Sequence, residues 1–433
     1  MAVQVGPKNE WRLKSPGPAS WTERLSPESA SKYFIVSCDN HANEPTEELM
    51  ELWRSQVDVE FRPRLPHYTI DEQAVHWLHT DGMIEPQMVR FPEDRRDLLP
   101  TKEEYESYDV MMTYSRRMDT EDVRRASSGR TLDQRITDRK SQGVDAEIVF
   151  ATKGLWSLTS PDPRYQVQLA RVFNRWVRDF CVTDFKRTMP MALIAPSIVE
   201  DAVREVQWAA QNGFHGIMLP NRPIFHRLDQ PRNSLEYTDK ALFEPLWSAI
   251  EETGLPITLH LGTGQDPRIV KGDGAAMVSY FTVLMSTFEP VVQMIASGVF
   301  ERHPKLKVVI VESGVGWIPW CLEQLDLVHH AHHMYTRPVL PRLPSEYFKS
   351  NCYATFVEEP KGLGYCVDFG LEDNLLWAMD YPHHEGSFPH CARSIQRQMD
   401  TFSELQREKL LGLNAVRVFN IDPDEVRRQG AGV

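Results

Sequence analysis

A (β/α)8 TIM barrel with one long insertion after its first strand is the α/β fold the sequence predicts. Three observations predict it: eight short apolar runs, helical segments between most of them, and runs that are continuously apolar rather than strictly alternating. The runs are YFIVSCDNHA (33–42), VDAEIVFAT (144–152), MPMALIAP (189–196), GFHGIMLP (213–220), LPITLHLG (255–262), LKVVIVESG (306–314), NCYATFVEE (351–359) and NLLWAMDYP (374–382). Each is rich in β-branched, aromatic or aliphatic residues and has the length of a strand. Apolar residues at helical spacing fill RYQVQLARVFNRWVRDFCVTDF, SIVEDAVREVQWAAQN, ALFEPLWSAIEETG, FEPVVQMIASGVFERH and WIPWCLEQLDLVHHAHHM. Asn212-Gly213 and Gly254 stand where a helix must stop before the next strand. Continuous apolar strands are covered on both faces, and eight of them close a barrel. An open doubly wound sheet is the weaker reading, because no Gly-x-Gly-x-x-Gly follows the first strand.

Two stretches depart from the repeat. Residues 1–32, rich in Pro and Ser, are expected to wrap the outside of the barrel or stay loose. Residues 43–131 are too long for an ordinary connection. They carry Trp53, Phe61, Tyr68, Trp77 and Tyr105, so this insertion is expected to pack as a cap over one barrel end. The barrel itself is assigned to 33–420, with 421–433 as a C-terminal tail.

Composition narrows the function classes. With 433 residues and 41% apolar content, the chain can bury a large core. Its 48 basic residues against 61 acidic ones give a formal charge of -13, a field that repels phosphate backbones and anionic lipid. Nucleic acid and membrane are therefore not expected as partners. The N-terminus has no apolar core of signal-peptide type, and no run approaches the roughly 18 apolar residues of a membrane span, so the expected location is cytoplasmic. The six cysteines, Cys38, Cys181, Cys321, Cys352, Cys366 and Cys391, form no Cys-x-x-Cys pair and read as reduced core thiols.

In this fold the C-terminal ends of the strands carry the active site. Here those ends are rich in metal-ligating side chains. The first run ends Asp39-Asn40-His41, and alternate strand residues share a face, so Asp39 and His41 can point inward together. The fifth ends in His260, the sixth in Glu312 and the eighth in Asp380. A single His260 would read as a hydrogen-bonded core histidine, and Asp380 alone as a helix cap. Four ends together favour an ion, and imidazoles with carboxylates suit Zn, Mn or Fe(II), as one ion or two. His383 either faces the site or lines its mouth, while His384 and Glu385 read as surface loop. The run VHHAHH (328–333) reads as a solvated helix end, and His215, before its strand's apolar run, as structural.

Taken in order, Asp39-x-His41, GFHGIMLP, the His260 strand, FERHPKLKVVIVESGVGWIPWCLEQLD and WAMDYPHHEGSFP resemble the amidohydrolase-related family. That branch of the amidohydrolase superfamily includes aminocarboxymuconate semialdehyde decarboxylase and the resorcylate-type decarboxylases. The resemblance runs from about residue 33 to 420, with 43–131 unplaced. It implies a metal-dependent barrel with Asp39, His41, His260 and Asp380 at the positions of the family's ligands. One departure matters: where the decarboxylases end their sixth strand in a histidine, this chain has Val311-Glu312-Ser313-Gly314.

A glutamate there can bind a second ion, orient water or act as a general base, which favours a hydrolase of an amide, ester, lactone or thioester. In that reading the metal supplies hydroxide, Asp380 handles protons, and Glu312 with His383 completes the site. The alternative is a non-oxidative decarboxylase or hydratase of an aromatic or unsaturated acid. For the substrate, a small molecule, Asn221 and Arg222 past the fourth strand are candidate contacts, as are Tyr280 and Phe281 in the loop after the fifth. The aromatics of the insertion and of WIPW suit either a homodimer interface or packing within the chain.

Overall fold

A computed structural model describes residues 19–44, 46–72, 75–83, 85–90, 129, 131–222, 237–264, 272–383 and 386–430. Eight parallel strands appear where the eight apolar runs lie: β1 (Val36–Ser37), β2 (Ala146–Val149), β3 (Thr188–Pro190, continuing as Ala192–Leu193), β4 (Ile217–Leu219), β5 (Ile257–His260), β6 (Val308–Val311), β7 (Cys352–Phe356) and β8 (Leu375–Trp377). The first half of β3 pairs with β2 and its continuation with β4, so one strand joins the two parts of the wall. The last strand meets the first through Cys38 N–H donating to the Trp377 carbonyl at 3.0 Å and Asp380 N–H to the Asp39 carbonyl at 2.9 Å, with a parallel bridge at Asn40 and Tyr381.

The intervening helices follow their predicted faces. Pro163–Cys181 starts on Asp162, whose side chain accepts the N–H groups of Arg164 and Tyr165, with Pro163 in the first turn. It buries Tyr165, Leu169, Phe173 and Val177 against the wall. Lys240–Thr253 starts on Asp239 and ends at Gly254, which takes the left-handed φ of 71° expected of a helix-stopping glycine. His215 lies at the opposite face from the strand ends and hydrogen-bonds the Phe419 carbonyl. One apolar core extends from Trp21 to Val426 and includes all six cysteines except Cys321, which is buried at its side; all six are unpaired.

The described part of the insertion opens with a helix, Thr46–Gln56, that docks on the flank of Pro163–Cys181. Trp53 is fully buried there and donates to the Leu169 carbonyl, while Trp176 donates to Glu48. An antiparallel sheet follows, His67–Ile70, His76–His79 and Gln87–Arg90. Asp81 beyond its second strand ties it to Arg64 and to Thr159 in the loop after β2, so this part stands at the rim where the strands end. Tyr105, residues 1–18, His384 and Glu385 lie outside the described residues, as does the side chain of Tyr280. Among the described residues, one helical stretch, Met277–Ala296, is long and apolar enough to cross a membrane by length and composition, with mean hydropathy 1.2. It is not a continuous apolar run, because Ser279, Thr282, Ser286, Thr287, Glu289 and Gln293 interrupt it.

Candidate metal centre and active site

The wall brings six of the singled-out side chains to one point. His260 Nε2 at the end of β5 stands 3.4 Å from Asp39 Oδ1 and 3.5 Å from Glu312 Oε2. His41 Nε2 stands 3.8 Å from Asp39 Oδ1, 3.9 Å from Glu312 Oε2 and 3.7 Å from Asp380 Oδ1. His383 Nδ1 lies 3.3 Å from Asp380 Oδ1, and its ring stacks on that of His41 with centroids 3.8 Å apart.

Backbone carbonyls set both imidazoles. His41 Nδ1 is 3.1 Å from the Ala151 carbonyl and His260 Nδ1 is 2.7 Å from that of Leu261, so each Nδ1–H donates to a carbonyl and Nε2 is the atom turned to the centre, free to bind an ion once it is unprotonated. The Phe150 ring, 4.8 Å from that of His260, packs beside them. Both oxygens of Asp39, Nε2 of His41 and Nε2 of His260 are buried yet make no hydrogen bond. Unpaired acceptors buried together cost free energy, and a cation satisfies all of them at once. These donor atoms of Asp39, His41 and His260 lie within 4.8 Å of one another, as do those of His41, Asp380 and His383. The residues present therefore fit a divalent ion.

The centre is also electrostatically uneven. Burial, reinforced by His383 and His260, holds His41 well below the ordinary histidine range. Burial pushes His260 the same way, but the adjacent Asp39 carboxylate and Glu312 outweigh it and leave His260 raised. Burial, with Asp380 and Asp39 nearby, pushes the Glu312 carboxyl well above the usual carboxylate range, against the pull of His260.

Two of these residues hold unusual backbones. Glu312 and Asp380 take φ of 59° and 54°, a region that costs a non-glycine residue about 1–3 kcal/mol. Glu312 is fixed by its N–H donating to Thr355 Oγ1. The turn that follows it is braced by Glu359, whose carboxylate accepts the N–H groups of Val315 at 2.6 Å and Gly316 at 2.9 Å. Glu44 does the same after β2, accepting from Thr152 and Lys153 next to Ala151.

The expected substrate contacts lie along or against one segment, from Ala275 to Glu289. Asn221 is buried, with its amide donating to Ser286 Oγ. Arg222 pairs with Glu289 at 3.1 Å, and Phe281 is 64% exposed on the helix Ala275–Leu284. The two candidate ion groupings do not involve the 328–333 histidines, of which His329 hydrogen-bonds the Leu340 carbonyl. Phe150, Glu44, Arg135 and Glu359 were not singled out in the sequence. Two of them had a signal there: Arg135 through its partner Glu147, an acid within the apolar run of β2, and Glu359 as half of the acid pair after β7, since buried acids demand partners.

A parallel barrel whose strand ends converge on a metal-competent centre is the class of protein these observations define. The Amidohydrolase family model matches residues 70–421, and the chain belongs to that family. Asp39 and His41 precede the matched stretch. Gamma-resorcylate decarboxylase of Rhizobium radiobacter is 24% identical over 273 residues, 60% of this chain and 79% of that enzyme. The 5-carboxyvanillate decarboxylase of Sphingomonas paucimobilis superposes with a TM-score of 0.56 at 26% identity, covering 77% of this chain and 97% of its own. That of Novosphingobium aromaticivorans, solved with bound manganese, gives 0.62 at 19% identity, covering 92% and 99%.

These relatives correct the expectation of an acyl hydrolase. They are enzymes that break a carbon–carbon bond and release carbon dioxide, not amide, ester, lactone or thioester hydrolases. The inference from Glu312 failed because a carboxyl group at the sixth strand end is not tied to water activation; a buried one can carry a proton as readily as a histidine.

Proposed function

We propose that this protein is a metal-dependent, non-oxidative decarboxylase of an aromatic or unsaturated carboxylic acid. The observation that carries the reading is the buried convergence of Asp39, His41, His260, Glu312 and Asp380 in a chain whose relatives are decarboxylases. Asp39, His41, His260 and Asp380 are the residues that would hold the ion. When bound, a divalent cation supplies positive charge that draws in and orients the substrate's carboxylate or a neighbouring phenolate; manganese accompanies the Novosphingobium enzyme.

The reaction breaks the bond between ring and carboxylate carbon and places a proton on the ring carbon. The electron pair left on that carbon needs an acid beside it. Glu312, mostly buried and 3.5 Å from His260 Nε2, holds that proton at Oε2 in our reading. His383 and Asp380, 3.3 Å apart at the turn Asp380-Tyr381-Pro382-His383, provide a second proton-holding pair at the mouth. Phe150 supplies an apolar wall for a ring, and burial keeps bulk water from the carbon that must be protonated.

The test is to incubate manganese-loaded protein with a panel of hydroxylated aromatic carboxylic acids in deuterated water. Carbon dioxide release with one deuterium at the vacated ring carbon is expected. Turnover of esters, amides or lactones, with no carbon dioxide from any acid in the panel, would sink the reading.

A further inference from the structure

Outside the centre, a fully buried polar group is Arg135, on the helix Leu132–Ser141 that precedes β2. Its side chain is fully buried, and all three of its guanidinium nitrogens are used. Nε and Nη2 grip the two oxygens of Glu147 at 3.0 Å each, and Nη1 donates to the main-chain carbonyl of His41 at 2.6 Å. The guanidinium also lies over the ring of Tyr381, 5.2 Å from its centroid, while the Tyr381 hydroxyl donates to Asp138 one turn along the same helix.

His41 stands just past β1, in a parallel bridge with Phe150, and Tyr381 directly follows Asp380 just past β8. Between them the barrel ring closes, with His41 N–H donating to the Tyr381 carbonyl at 2.6 Å. One planar group therefore touches both sides of the seam, one residue from Asp380 and on the backbone of His41 itself. Neither contact reaches the centre directly.

We infer that Arg135 is a positioning residue for the metal centre: its guanidinium sets the distance and angle between His41 and Asp380, and so the affinity for the ion. The inference rests on reading Asp39, His41, His260 and Asp380 as that centre. A planar fork can hold a carboxylate and a carbonyl at fixed geometry, which a lysine ammonium cannot. Arg139 provides an internal comparison. It is equally buried, in the same network with Glu147, Asp184 and Thr188, but it touches neither His41 nor Tyr381.

The experiment titrates cobalt(II) into wild-type protein, Arg135→Met, Arg135→Lys and Arg139→Met, each below its unfolding midpoint, and reads affinity together with the visible absorption of the bound ion. Both Arg135 variants are expected to bind at least about 10-fold more weakly and with an altered spectrum, the range seen when groups behind metal ligands are removed. Arg139→Met is expected to lose stability but keep wild-type affinity and spectrum. Should Arg135→Met fail to fold, Arg135→Lys, which retains the charge, decides the matter. Wild-type affinity and spectrum in a folded Arg135 variant, or the same loss in Arg139→Met, overturns the positioning role. Wild-type protein that takes up no ion overturns the metal centre itself.

Discussion

His260 Nε2 and Asp39 Oδ1 lie 3.4 Å apart, although their strands, β5 and β1, stand four places from each other around the ring. Burial works against a charged His260, but Asp39 and Glu312 raise it overall. The sign follows directly. In ion-free protein this group's contribution to stability is fully present below the unfolded value of about 6.5 and is lost as pH rises through the raised folded value. A metal ion must displace that proton, so its affinity changes in the opposite direction. Manganese affinity is expected to rise with pH across the raised range, with proton release on binding. Calorimetric titration in buffers of different ionisation enthalpy measures both, and a flat profile with no proton release would remove His260 from the centre.

Glu312→Gln keeps the shape of the side chain but cannot cycle a proton. The variant is expected to fold and retain its ion, while the rate of carbon dioxide release falls by about 10²–10⁴-fold, the usual worth of a general acid. Metal analysis with steady-state kinetics separates the two effects. Turnover near the wild-type rate would assign the proton to another group.

The brace on the turn after β6 has a steric requirement. A Cβ at Gly316 would sit 2.8 Å from Glu359 Oε1, the atom that accepts the Gly316 N–H. Gly316→Ala pushes that carboxylate off its two donors and is expected to cost about 1–3 kcal/mol. Urea unfolding of Gly316→Ala and Glu359→Ala should show similar losses, and a neutral alanine at 316 would mean the turn holds without its brace.

Trp53 anchors the insertion. Trp53→Ala removes a fully buried indole and its hydrogen bond to Leu169, with an expected cost of about 3–5 kcal/mol. Chemical denaturation gives the value, and limited proteolysis should then cut first between residues 46 and 90. Unchanged cleavage would show that the insertion is held chiefly elsewhere.

The strands were legible because a wall buried on both faces leaves strands such as Val308–Val311 continuously apolar, with polar residues only at their ends. The ends of three strands, β1, β5 and β8, carried the signal for the candidate centre, since Asp39, His41, His260 and Asp380 follow apolar runs into a buried interior together. The left-handed φ of Glu312 and Asp380 was not legible. Aspartate tolerates that region better than most residues but does not mark it, and for a glutamate only the surrounding packing imposes it. Arg135 and Arg139 were hidden for a different reason. Their helix, LDQRITDRKS, reads as polar all round and hence as solvent-facing. Their burial is licensed by Glu147 inside an apolar strand, an acid that could not be there without cations. Arg222, a candidate anion contact in the sequence, pairs with Glu289 at 3.1 Å, a partner no spacing rule pointed to.

The seam at Asn40 and Tyr381 joins positions 341 apart in the chain. On the ribosome, therefore, Asp39 and His41 emerge long before the aspartate that completes their surroundings, and the nascent chain carries half a centre until β8 has been made and docked. On the ligand set proposed above, tight uptake of the ion requires a polypeptide synthesised at least through residue 380, and one clipped or stalled earlier is expected to compete poorly for metal.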